Sequence, residues 1–215
     1  APFEARAQVL RDLGLPHAAL AARGEVVRIA SARNDRRAEA RTRVRVAGLL
    51  AELGDEGNAE LAYHRALALD GNAAEALRGA AALAARRGDH RAAAGLWSRL
   101  LAAGSYPPAE AAAYHLALGK SLLAAADAAA ARVALGRAAS LGDAAIAGDA
   151  HALLAEASQR EHDPRGASDE LDAAVIALTQ AADAIFADGR DRAAQAAAGE
   201  LTIRAAHLAL ERARI

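Results

Sequence analysis

The chain has 215 residues with 26 basic and 27 acidic side chains, a formal net charge of −1 at pH 7, which argues against wholesale adhesion to nucleic acid or to an anionic membrane. Apolar residues make up 54% but aromatics only 3%, and 69 Ala and 28 Leu supply most of the apolar set; that composition favours helices and nearly excludes a sheet protein. Cys is absent, which removes disulfides, thiolate nucleophiles and cysteine-bound metal centres, and no uncharged stretch approaches the ~20 residues a membrane-spanning helix needs.

From the N-terminus, apolar residues recurring at intervals of three and four predict helices over 3–13 and 17–31, separated by Gly14. The next pair covers 36–53 and 57–69 around Gly54-Asp55, and a third covers 73–87 and 91–103 around Gly88-Asp89. In both turns the Gly can take the left-handed conformation that ends a helix, and the Asp can cap the next one. Ser105-Tyr106-Pro107-Pro108 is a loop, since adjacent prolines cannot continue a helix; it reads as a local insertion and not as a domain linker. Helices over 108–125 and 128–140 flank Ala126-Asp127, and helices over 146–160 and 165–187 flank Glu161-His162-Asp163-Pro164. That last tetrapeptide is chemically dense, but a capping Asp followed by a helix-starting Pro explains it structurally. A final helix over 190–213 carries Ala194, Ala197, Ala198, Leu201, Ala205 and Leu208 on one face, with Arg192, Gln195, Arg204, His207 and Glu211 on the other.

The pairs repeat. Gly54 and Gly88 are 34 residues apart, and each is followed at the same offsets by Ala59, Tyr63 and Ala66 or by Ala93, Trp97 and Leu100. Seven residues before the five turns stand the small residues Ala7, Ala47, Ala81, Gly119 and Ala155. Nine residues after them stand Arg23, Tyr63, Trp97, Leu135 and Leu171. Small residues let helix backbones approach to ~8–10 Å, and the large ones fill the space between helices. Arg23 is the exception in that series, a charge in the large apolar place. One hairpin cannot bury its apolar stripe alone; several stacked hairpins can.

The period, the small residue before the turn, the Gly-Asp turn and the Ala-x-x-x-aromatic-x-x-Ala run resemble the tetratricopeptide repeat (TPR) family. The resemblance covers roughly residues 5–178 and departs from the family in lacking the Pro that usually closes a repeat, where Gly71, Ser105 and Asp143 stand. It implies an all-α fold, a right-handed helical-hairpin solenoid of about five helix pairs. The array would occupy 1–189, with repeats at 1–34, 40–73, 74–107, 112–145 and 148–181, and 190–215 would form a C-terminal capping helix that hides the last apolar surface.

The resemblance also implies a concave groove lined by the first helix of each pair. The partner-binding residues it selects are Arg41, Arg45, Glu75, Arg78, Arg86, Leu116, Lys120, Leu123 and Glu156, making the groove partly basic along its middle. The Lys, Asn and Arg set with which part of the family grips a C-terminal carboxylate is missing, so the expected partner is a protein or peptide segment of acidic or apolar character. No Walker loop, nucleophile elbow, dinucleotide fingerprint or His-Glu-x-x-His helix occurs, so no catalytic residue, cofactor or metal is assigned. His115 and His151 fall at equivalent places in neighbouring repeats but lack a carboxylate at ligand spacing.

Charge is uneven. Arg33 to Arg45 holds six Arg against Asp35 and Glu39, whereas Asp149 to Asp191 holds ten acids against three Arg. Such opposite ends invite head-to-tail self-association, and the basic segment could meet nucleic acid, a reading the near-neutral total disfavours. The expected function is a non-enzymatic interaction scaffold; the alternative is a regulatory or docking segment of a larger multidomain enzyme or envelope assembly. An Ala-Pro start without Cys fits a bacterial periplasmic protein as well as a cytoplasmic one.

Overall fold

A computed structural model describes residues 2–188 and 192–214. Eleven helices account for the regular structure of those residues: α1 (Pro2–Asp12), α2 (Pro16–Ala32), α3 (Arg36–Glu52), α4 (Glu56–Leu69), α5 (Ala74–Arg86), α6 (His90–Ala103), α7 (Pro108–Ala124), α8 (Ala128–Leu141), α9 (Ala144–Arg160), α10 (Pro164–Asp188) and α11 (Arg192–Arg212). The expected helix boundaries agree to within about two residues, and no strand occurs among the described residues.

The turns show why the helices stop where they do. Gly54 and Gly88 have φ of 81° and 79°. At each, the next amide reaches back across the turn, Asp55 N to Leu50 O and Asp89 N to Ala84 O, both at 2.9 Å, which satisfies carbonyls the helix end leaves open. The Asp carboxylate then accepts the Asn58 or Ala92 amide at 3.2 or 3.1 Å and starts the next helix. Ala126-Asp127 and His162-Asp163 build the same device with a non-glycine at φ 64° and 59°, Asp127 accepting from Ala130 and Asp163 from Gly166. Asn34-Asp35, between α2 and α3, uses it too, with φ 55° at Asn34 and the Asp35 carboxylate accepting the Ala38 amide.

The chain divides into two compact units, Ala1–Gly104 and Ser105–Ile215. The boundary falls in the Ser105–Pro108 segment that reads from sequence as an insertion within one array. In the first unit successive helices from α1 to α6 pack pairwise, and α3 also packs on α5. Its core joins Ala47, Ala59, Ala62, Tyr63, Ala80 and Leu83. A Cβ placed on Gly79 would lie 2.4 Å from the Tyr63 ring, so α5 can cross Tyr63 only because that position is glycine.

In the second unit α7 packs on α8 and α9, and α8, α9, α10 and α11 follow in sequence. Leu116, Leu123, Leu135 and Leu154 interlock with Ala131, Ala138, Ala150 and Ala157. A second cluster sets Leu178, Ala181 and Ala182 of α10 against Ala198, Leu201 and Ala205 of α11. The face expected of the last helix is therefore buried at Ala198, Leu201 and Ala205 and half-buried at Leu208, but Ala197 is exposed. The expectations for residues 190 and 191 and for the side chains of Arg192 and Ala194 lie outside the described residues.

Candidate interaction surface

In the first unit the expected groove register corresponds to an open helix face. Glu75, Arg78 and Ala82 of α5 are exposed and Ala85 is half-buried; on α3, Arg41 is exposed and Val44, Gly48 and Ala51 are half-buried. Arg41, Glu75 and Arg78 enter no ion pair among the described residues. Two other expected partner-binding residues are engaged within the chain. The Arg45 guanidinium pairs with Glu4 of α1, and Arg86 pairs with Glu56 of α4 at 2.8 Å.

Beside this face α1 and α3 flank an open cavity of about 450 Å³. Glu4, Gln8 and Arg11 line it from α1, and Arg45, Gly48 and Glu52 from α3. Arg11 and Glu52 meet at 2.7 Å, a second ion pair between the two helices. Arg23, from α2, also lines the cavity and is only 5% exposed. Its Nη1 donates to the Arg45 carbonyl at 3.0 Å, while its Nε–H has no partner. Burial and the neighbouring guanidiniums of Arg45 and Arg11 lower the Arg23 pKa, and Glu4 and Glu52 act in the opposite direction. A smaller cavity of about 270 Å³ shares Glu4 and Arg45 and is bordered by Arg33, Asp35 and Arg41. The basic run seen in sequence thus borders real concavities. The sequence signal at Arg23 was its place in the large apolar series, but a sequence position alone does not disclose an open space.

The second unit presents less of the expected groove. Lys120 is exposed on α7 and enters no ion pair among the described residues, and Ala113, two turns earlier on the same face, is exposed as well. Leu116 and Leu123 are a correction to the sequence reading. They are 9% and 3% exposed within the core, because Ala150 and Ala157 let α9 close over this side of α7. Neither leucine is available to a partner. Glu156 is half-buried and pairs with Arg160 at 2.6 Å, and Arg160 in turn donates to the Leu123 carbonyl at 2.5 Å. Asp149, at the head of the expected row on α9, pairs with Arg204 of α11. The last helix therefore uses a residue from its expected polar face to cover an expected groove position.

No family model matches the chain, and no curated protein matches its sequence. Solved structures do. MamA of Desulfovibrio magneticus RS-1, from position 41 to its end, superimposes with a TM-score of 0.66 at 19% identity, covering 80% of this chain and 90% of that one. YrrB, a TPR protein described as having an unusual peptide-binding site, gives 0.57 at 20% identity over 88% of this chain and 98% of its own. PilW, a type IV pilus biogenesis factor, gives 0.58 at 15% identity over 93% and 88%. This is the tetratricopeptide-repeat fold.

Other polar groups of the TPR hairpins have structural partners or none. His151 Nδ1 lies 2.6 Å from Glu170 of α10, whereas His115 is buried with its Nδ1 unpartnered. The two are not drawn into a common set of ligands, and no group of three or more His, Asp or Glu suited to a metal occurs among the described residues. Burial, reinforced by Arg137, lowers the His115 pKa. No described helix is long and apolar enough to cross a membrane.

Proposed function

We propose that the chain is a non-enzymatic interaction scaffold whose hairpins display the first helix of each pair to a protein or peptide segment. The observation that carries this reading is the open row of Glu75, Arg78 and Ala82 on α5, with Arg41 exposed at the position of α3 equivalent to Glu75. These side chains stand over a packed Ala and Leu core, and their charges are not consumed by ion pairs among the described residues. A guanidinium left free at the surface retains its capacity for a bidentate carboxylate contact, and the adjoining alanines offer shallow apolar contact. An extended or helical segment bearing acidic and apolar residues complements that mixture. The peptide-binding site ascribed to YrrB is a precedent for such use of the same fold.

Selection of random displayed peptides on the purified chain tests the proposal. Enrichment of peptides that alternate Asp or Glu with aliphatic residues is the expected result. Recovery no richer in acids than that from an unrelated helical protein would contradict it.

A further inference from the structure

We propose that the cavity between α1 and α3 is a carboxylate-binding pocket with the Arg23 guanidinium as its recognition element. The inference rests on the scaffold reading only for the source of the carboxylate, an acidic group of the bound segment.

Four observations converge. First, Arg23 stands where Tyr63, Trp97, Leu135 and Leu171 fill the other repeats with buried apolar side chains. A flexible charged side chain in that slot coincides with about 450 Å³ of open space, within the range of small-ligand sites. Second, Arg23 is buried yet incompletely paired, its Nε–H without an acceptor; a buried donor left so is costly, more so when charged. Third, the charges lining the cavity do not balance: Arg11, Arg23 and Arg45 face Glu4 and Glu52. The two glutamates are already held by Arg11 and Arg45, so Arg23 is the cation left over. Fourth, this surplus of one selects the ligand. A monoanion neutralises it, whereas a phosphate dianion would overshoot and meet Glu4 and Glu52. A planar carboxylate also matches the edge of a guanidinium.

These residues differ from the Lys, Asn and Arg clamp that is missing from the sequence. Arg23 comes from the second helix of its hairpin and acts from the floor of the cleft.

Side-chain 15N NMR of the full chain tests the pocket directly, with the Nε–H resonance of Arg23 assigned by its loss in Arg23→Leu and, should that variant fold poorly, in Arg23→Lys. Acetate should displace this resonance saturably when it replaces chloride at constant ionic strength, and inorganic phosphate should do so more weakly. No displacement by acetate, or a stronger one by phosphate, would overturn the carboxylate assignment. Two blocked tripeptides identify the source, N-acetyl-Ala-Ala-Ala with a free C-terminus and N-acetyl-Ala-Glu-Ala-amide. At least one should act at about tenfold lower concentration than acetate, equivalent to about 1.4 kcal/mol. Saturation by acetate with no gain from either peptide would leave the anion pocket standing and overturn its role in holding a partner segment.

Discussion

Ala126 and His162 hold the backbone at φ 64° and 59°, in the region that Gly54 and Gly88 occupy at equivalent turns. A side chain there costs about 1–2 kcal/mol, partly offset because glycine loses more freedom on folding. Ala126→Gly should therefore stabilise the chain by about 0.5–1 kcal/mol, read as a higher midpoint in denaturant; an unchanged or lower midpoint would mean that this turn is unstrained. Two glycines make the complementary case. A Cβ on Gly119 would sit 2.5 Å from Leu135, whereas one on Gly136 meets nothing within 4 Å. Gly136→Ala should gain about 0.5–1 kcal/mol from helix propensity, and Gly119→Ala should lose about 1–3 kcal/mol from overpacking. Equal effects in thermal melts would contradict the close approach of α7 to Leu135. His115 supplies a pH dependence. Its folded-state pKa lies below the ordinary value near 6.5, so the unfolded chain binds the extra proton first and stability is lost as pH falls below that value. The difference in stability between about pH 7.5 and about pH 5.5 should shrink in His115→Gln; an identical pH dependence would show that His115 titrates normally.

At the scale of helices, most of the architecture was legible in the sequence because turn chemistry and packing chemistry agree. Each Gly-Asp, Ala-Asp or His-Asp step marks a helix end and the next start, and a small residue seven places earlier marks the close contact. What the register could not disclose is how tightly neighbouring helices close. Leu116 and Leu123 sit at the same offsets as exposed Arg78 and half-buried Ala85, yet the alanines of α9 bring that helix over them. Offset specifies the side of a helix; the size of the residues opposite decides whether that side stays open. Arg45 and Arg86 stay exposed but are engaged within the chain for a different reason, since their partners Glu4 and Glu56 lie on other helices and no local spacing predicts the pairing. The last helix shows both effects, burying Leu201 as patterned and sending Arg204 to Asp149 against pattern. Truncation after Asp188 should strip the cover from Leu178, Ala181 and Ala182 and cost at least about 2 kcal/mol, given ~1.5–3 kcal/mol per buried Leu. A melt superimposable on that of the whole chain would show that α11 contributes nothing to the second unit.

Across the whole molecule, a chain built from Ala and Leu gains stability through many small close contacts, and the exposed cations of the expected groove, Arg41, Arg78 and Lys120, stay outside any ion pair among the described residues. The two compact units divide those cations: Arg41 and Arg78 belong to the first, Lys120 to the second. The central claim, recognition through the displayed first helices, is tested most directly by calorimetric titration of an acidic peptide from the display selection against the wild type, Arg41→Glu, Arg78→Glu and Lys120→Glu. Each side chain is exposed, so the melts of all four proteins should agree to within about 0.5 kcal/mol. Arg41→Glu and Arg78→Glu should each weaken binding by about tenfold or more, equivalent to about 1.4 kcal/mol, with the loss shrinking as salt is raised. Undiminished affinity in both variants, with unchanged melts, would contradict the account.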